Sequence, residues 1–168
     1  MVRRVYVLEA EPRRQTYTKL LAAALSACDQ FLFVDVPGPH FGENDSEFGP
    51  RSRALLQELE AHLISVTKSD SWPGTHLVKA EGYEPYGRIY RYHFNVDSAR
   101  VLSRVADGLY EWRFPHLPAD LCLIRSDGDP WLVNMPADEE AYLSLTESEA
   151  NDLRAAVPEL ELGRDYEH

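Results

Sequence analysis

The chain is poor in cysteine, and the two cysteines that it has lie far apart. Cys28 and Cys122 each stand in an apolar segment, and no CxxC pair occurs. This pattern indicates neither a disulfide framework nor a cysteine-rich zinc site. A catalytic cysteine needs an activating base, and the sequence places none beside either residue. We expect two buried free thiols.

Long apolar runs are also absent. The opening run at residues 1–9 is too short for a signal peptide, and no stretch approaches the roughly 20 apolar residues of a membrane span. The 168 residues, 44% of them hydrophobic and 27% charged, are typical of one globular domain with one core. We therefore expect a cytoplasmic protein with no membrane-spanning segment.

The common mechanistic motifs are missing as well. The chain contains no P-loop, no GxGxxG, no GxSxG and no HExxH. No cofactor is indicated. An enzyme remains open at this point, because many active sites are assembled from residues distant in sequence.

Positive charge is scarce and unevenly distributed. There are 17 Lys and Arg against 28 Asp and Glu, a net charge of −11, and nearly all of the excess lies in residues 119–168. Such a field repels nucleic-acid phosphates and anionic membranes. It attracts a basic macromolecule, so a basic protein is the expected partner.

The hydrophobic periodicity predicts an α+β fold. Helical spacing occurs at 12–27, after Pro50 and after Asp97, which is placed to be an N-cap. Runs typical of strands occur at 5–8, 31–36, 76–80 and 87–96, and Leu63 to Thr67 could end a helix or begin a strand. The order predicts a single domain with a mainly antiparallel sheet and three to four covering helices. Residues 115–118 form either a subdomain hinge or a rigid loop.

The last third of the chain predicts a hairpin, a strand and a helix. Asp127-Gly128 stands between apolar runs at 121–124 and 131–133, which is a strong hairpin signal because glycine takes positive φ easily. A third strand follows at 141–145. Thr146 and Glu149 match a capping box, so the last helix begins there and ends near Ala156.

The candidate partner-binding residues are the acids of this region together with one tryptophan. Tryptophan is enriched at the energetic centres of interfaces, although it also fills cores. The carboxylates form either a surface for a basic partner or a solvated face that keeps the protein soluble. The candidate set is Asp127, Asp129, Trp131, Asp138, Glu139, Glu140, Glu147 and Asp152.

The sequence thus predicts a non-enzymatic acidic protein that binds a basic macromolecule. A specific form of this function is an inhibitor of the immunity or antitoxin type. Its carboxylates would occupy the basic surface of a toxin in place of nucleic-acid phosphates or of the toxin's substrate. This version rests on an analogy of size and charge, and not on a motif.

The alternative is a small hydrolase, either metal-dependent or using acid/base catalysis. The loop at 35–47 contains imidazole and carboxylate groups, which bind metals and transfer protons in many enzymes. Such residues are also common in polar surface loops. The candidates in this loop are Asp35, His40, Glu43, Asp45 and Glu47.

Two further features lie on the predicted strands between residues 76 and 96. His76 and His93 either approach each other across a sheet to share a metal or are half-buried residues with ordinary hydrogen bonds. Tyr90, Tyr92 and Phe94 share one strand face. They either stack nucleic-acid bases or, as we favour, pack in the core.

Overall fold

Four α-helices and nine β-strands follow one another along the chain in the computed structural model, which describes residues 2–37 and 48–163. They are, in order, β1 Arg4–Val7, α1 Gln15–Ala24, β2 Cys28–Asp35, α2 Pro50–Leu59, β3 Leu63–Ser69, β4 Ser71–Trp72, β5 Thr75–His76, β6 Gly87–His93, α3 Val96–Val105, β7 Ala119–Arg125, β8 Pro130–Met135, β9 Glu140–Leu145 and α4 Glu147–Ala156.

Seven of these strands form one sheet in the order β1-β9-β8-β7-β2-β6-β3, and every neighbouring pair is antiparallel. The predicted α+β class with a mainly antiparallel sheet and four helices is confirmed. Strands from before and after residues 115–118 pair with each other in this sheet. Leu117 within that stretch is buried in the main core.

The helices cover one face of the sheet. Successive side chains of a strand point to opposite faces, and Phe31 and Phe33 of β2 therefore both point towards the helices. The ring of Tyr92 in β6 stacks on Phe31 with centroids 5.0 Å apart, and Trp112 stacks on Phe33 at 6.0 Å. The prediction that Tyr90, Tyr92 and Phe94 line the core side of their strand is confirmed.

The opposite face of the sheet carries a smaller apolar layer. Leu32 and Val34 of β2 lie there with Cys122 of β7, and the β4–β5 hairpin packs over them through Trp72. The indole Nε1 of Trp72 donates to the Asp120 carboxylate at 2.9 Å. Both faces of β2 are therefore buried, which explains its continuous apolar sequence.

The N-caps of two helices can be compared with the sequence prediction. The N-cap of α3 is Asn95, not Asp97, because Asn95 and Ser98 satisfy each other's backbone amides. Thr146 caps α4 as predicted, since its hydroxyl accepts from the backbone N–H of Glu149 at 3.2 Å. The Glu149 carboxylate does not complete the capping box, because it binds Arg125 instead.

The remaining differences concern element lengths. The helix predicted at 12–27 occupies only Gln15–Ala24. The strand expected at 76–80 is limited to the two residues of β5, and the ambiguous stretch after Leu63 is the full strand β3. None of the helices within residues 2–37 and 48–163 is long and apolar enough to cross a bilayer.

Candidate partner-binding surface

The turn between β7 and β8 holds two of the candidate carboxylates. Gly128 has a φ of 93°, and the turn closes with a hydrogen bond from Arg125 N–H to the Asp129 carbonyl at 2.9 Å. Arg3 donates to the Asp127 and Asp129 carboxylates, each at 2.9 Å. The pKa of Asp127 is lowered, first by the hydrogen bond from the Asp129 backbone N–H and then by Arg3. One arginine thus binds two carboxylates.

Helix α4 carries the next two candidates. Glu147 and Asp152 are exposed, and neither carboxylate has a cation within ion-pair distance in the described part of the chain. Glu149 between them is different, because it pairs with the buried Arg125. The unpaired negative charge of α4 in the described chain therefore belongs to Glu147 and Asp152.

These two sets of acids lie at the same end of the sheet. Arg4 faces Leu145 across the β1–β9 ladder, so Arg3 and the first residues of α4 are neighbours. Leu132 faces Leu143, which places the β7–β8 turn beside the end of β9. We call the surface formed by Asp127, Asp129, Glu147 and Asp152 the α4 surface.

Two depressions adjoin the α4 surface, and Asp152 borders both. One is an open hollow of about 680 Å³ between α4 and the start of β1, lined among others by Val2, Arg4, Glu147 and Asn151. The other is a narrower pocket of about 180 Å³ between α4 and the end of α1, which we call the α1–α4 pocket. Its lining is Ala23, Ser26, Ala27, Trp131, Leu145, Glu149, Asp152, Leu153 and Ala156.

Trp131 lies under this surface rather than on it. The residue is 3% exposed and belongs to the main core. A register irregularity between β7 and β8 falls beside it, between the pairs Leu123↔Leu132 and Ile124↔Pro130. Trp131, one of the candidate partner-binding residues, is therefore a core residue that also lines the α1–α4 pocket.

The other three candidates, Asp138, Glu139 and Glu140, lie at the opposite end of the strands. They occupy the β8–β9 connection, and Met135 faces Glu140 across that ladder. The six residues of β8 separate them from the β7–β8 turn by about 17 Å at the usual rise per residue. Glu139 also borders a polar pocket that contains Arg13, Arg51 and Arg113. The acidic surface expected from sequence is thus divided in two, and this second part lies beside cations.

The hydrolase alternative rests on a loop that lies largely outside the described residues, including His40, Glu43, Asp45 and Glu47. Asp35 is described: it is 3% exposed and pairs with Arg88 at 3.2 Å. In the described ranges, no three His, Cys, Asp or Glu side chains are placed to hold a metal ion.

The two histidines considered as a metal pair belong to different sheets. His76 lies in the small β4–β5 sheet, where it faces Ser71, and His93 ends β6 of the main sheet. Both are exposed. Neither alternative is therefore found: the two histidines do not face each other across one sheet, and neither is half-buried.

Both cysteines are buried and free, as expected. Burial raises the pKa of Cys28 to about 12 and that of Cys122 to about 12. A thiol that stays protonated near neutrality is a poor nucleophile, so neither residue is arranged for catalysis.

The sequence reasoning missed the cations that divide these acids into paired and unpaired ones. Arg3 and Arg125 are far in sequence from the carboxylates that they bind, so no local pattern could reveal the pairs. It also missed the α1–α4 pocket. A possible signal was the alanine-rich end of α1, since small side chains leave space where two helices approach.

Comparison with known proteins finds no match: no family model, no curated protein and no solved structure aligns with the chain. Support for a function therefore comes from the α4 surface and the pockets beside it.

Proposed function

We propose that this chain is a non-enzymatic protein that binds a basic protein partner through the α4 surface. The observation that carries the proposal is the pair Glu147 and Asp152, two exposed carboxylates on a capped helix that have no ion-pair partner among residues 2–37 and 48–163. Asp127 and Asp129 add negative charge at the same end of the sheet. Unpaired carboxylates at a fixed position steer and orient a cationic partner.

The apolar α1–α4 pocket beside these acids favours a folded partner over a diffuse cloud of counterions. Protein interfaces combine a few anchors in water-excluding pockets with a polar rim. Here the pocket lined by Trp131 and Leu153 would take the anchor, and the carboxylates would form the rim. A purely solubilising acidic face needs no such pocket.

An inhibitor of the immunity or antitoxin type is the form of this function that we propose. Such a protein covers the basic surface of a toxin, and fixed carboxylates can occupy sites that otherwise hold phosphate or another anion. We place the encounter in the cytosol, where buried unpaired thiols such as Cys28 and Cys122 stay reduced. The net charge of −11 argues against nucleic acid as the direct partner.

The test compares two charge-matched double variants. Glu147→Lys with Asp152→Lys reverses the α4 surface, whereas Asp138→Lys with Glu140→Lys makes the same change in net charge at the other end of the strands. The tagged proteins are used to capture partners from lysate of the source cells at low and at high salt. We expect the wild type and the Asp138/Glu140 variant to recover the same basic protein at low salt.

The expected result for the Glu147/Asp152 variant is loss of that protein, because like charges now face it. High salt should weaken capture by the wild type, since exposed charges are screened. Equal loss in both double variants would show that net charge alone matters and would overturn the assignment to α4. Recovery of no basic protein by the wild type would overturn the function. Thermal unfolding of each variant checks that it is folded.

A further inference from the structure

We infer that the α1–α4 pocket is a socket for one long cationic side chain, arginine above all, presented by the partner. This inference rests on the proposed function and names the anchor of that interface. The structural basis is one largely apolar pocket whose lining includes Trp131 and Asp152, and Asp152 has no ion-pair partner in the described part of the chain.

The size of the pocket limits what it can hold. Its volume is about 180 Å³. Sites for drug-sized ligands usually measure about 300–1,000 Å³. The α1–α4 pocket is therefore suited to one inserted side chain. Ala23, Ala27 and Ala156 form the walls, and their small side chains keep the space between the two helices open.

The lining favours a side chain with an apolar stem. Trp131, Leu145 and Leu153 supply its larger apolar groups. Lysine and arginine bury their methylene stems on such surfaces while the charged head stays at the rim. A guanidinium adds favourable contact with an aromatic face and a planar fork for a carboxylate, which is why we place arginine before lysine.

The rim selects for a positive head. Two carboxylates border the pocket, but Glu149 is engaged by Arg125 and leaves Asp152 as the carboxylate without an ion-pair partner in the described chain. Ser26, the remaining polar side chain of the lining, donates to the Ala23 carbonyl at 2.9 Å. An anionic head group would be repelled by Asp152, and a neutral donor would gain a hydrogen bond but no attraction between opposite charges.

The test uses a probe that needs no protein partner, the amide of N-acetyl-arginine, with the amide of N-acetyl-norleucine as the uncharged comparison. Binding is followed by NMR at the indole N–H of Trp131, which is assigned with Trp131→Phe. We expect a saturable shift with the arginine amide and a weaker one with the norleucine amide. The lysine analogue should lie between them.

Two kinds of variant separate shape from charge. Ala156→Leu fills the pocket from α4, Ala27→Leu fills it from the α1 side, and both keep the net charge. Either should abolish the shift. Asp152→Asn keeps the shape and should weaken binding about two- to fivefold, the effect of losing one exposed ion pair. Circular dichroism and thermal unfolding identify any variant that is not folded. If one of the two filling variants does not fold, the other still tests the pocket.

The outcomes separate this inference from the proposed function. Absence of a shift in the wild type, or equal shifts with arginine and norleucine amides, would overturn the socket. So would unchanged binding in both filling variants. Partner capture that persists at full strength in Ala156→Leu would leave the α4 surface as the interface and exclude the socket. A socket that binds arginine amide in a protein that captures no basic partner would instead overturn the proposed function.

Discussion

At the residue scale, the buried hydroxyl of Tyr17 makes hydrogen bonds across large sequence separations. The Tyr17 hydroxyl donates to the Leu102 carbonyl at 2.6 Å and accepts from the Trp112 indole N–H at 3.0 Å. Tyr17 and Trp112 are fully buried, so water cannot replace either bond. Burial also raises the pKa of Tyr17, and the phenol stays protonated. This hydroxyl joins α1, α3 and the segment before β7.

We predict that Tyr17→Phe lowers the free energy of unfolding by about 1–3 kcal/mol, because it leaves the Trp112 N–H and the Leu102 carbonyl without these partners in the core. Urea denaturation measures the change. Tyr83→Phe is the control, since the Tyr83 hydroxyl makes no hydrogen bond recorded in the described chain. Equal stability of Tyr17→Phe and the wild type would contradict the account of this network.

The side-chain bonds at the start of α4 show which contacts can be predicted from the sequence and which cannot. Thr146 could be identified as an N-cap because its partner lies three residues away. The role of Glu149 could not be identified, because Arg125 lies on another element and binds the carboxylate that the capping box required. Local spacing predicts local bonds, whereas an ion pair between elements depends on the fold.

At the scale of elements, the β4–β5 hairpin is the second cover of the sheet. Trp72 packs on Leu32, Val34 and Cys122, and its indole holds Asp120 of β7. Burial raises the pKa of Asp120, and the hydrogen bond from Trp72 opposes that shift. Gly74 permits the close approach of the hairpin, since a Cβ there would lie 2.7 Å from Val133.

We predict that Trp72→Ala loosens this hairpin and exposes Cys122 while Cys28 stays protected on the helix side. Loss of a buried tryptophan should lower the free energy of unfolding by about 3–5 kcal/mol. Alkylation followed by mass spectrometry measures the result: the native wild type should react slowly at both thiols, and the variant should react faster at Cys122.

Cys28 is the internal control of that experiment. Equal acceleration of alkylation at Cys28 and Cys122 would mean general unfolding, and no acceleration at Cys122 would contradict the role of Trp72 as its cover.

The sequence predicts a strand at 76–80 in the region of this hairpin. The structure shortens it to β5, because this segment pairs only within its own hairpin and is anchored by one tryptophan rather than by a sheet ladder.

The larger elements were predictable for a physical reason. The helical stripe of α1 and the continuous apolar run of β2 face a core directly, so burial fixes their periodicity. The sheet order was not predictable. Pairing of β2 with both β6 and β7 follows from long-range contacts that no stretch of sequence encodes on its own.

At the scale of the whole molecule, burial of ionisable groups sets the dependence of stability on pH. The thiols of Cys28 and Cys122 have their pKa raised from 9.0 to about 12 by burial. Below about pH 9 both states keep these protons, so they add no pH dependence. Above it, unfolded thiols ionise while folded ones do not, and the free energy of unfolding falls as pH rises towards 12. Buried Tyr17 and Tyr92 act in the same direction above about pH 10.

We therefore predict lower stability at about pH 10.5 than at about pH 8 in urea denaturation. Replacing both cysteines with alanine should make this decline shallower, because two of the ionising groups are gone. A decline of the same steepness in the double variant would show that the thiols are not its source. An unchanged stability between the two pH values would contradict the burial of all four groups.

The charge of the whole molecule has a different organisation from the one its sequence suggested. Composition located the excess of acids over bases in the last third of the chain, but the strands carry these acids to opposite ends of the sheet. Arg3 and Arg125 then neutralise part of one group. On the α4 surface, Glu147 and Asp152 are the carboxylates that have no ion-pair partner in the described chain.

The most direct test of the α4 surface is a map of backbone amide NMR shifts on addition of the captured basic partner. We predict that the changes are concentrated at residues 127–131 and 145–156 and at the end of α1, and that they shrink as salt is raised. Changes centred on residues 138–140, or spread evenly over the molecule, would contradict the assignment of the interface to α4.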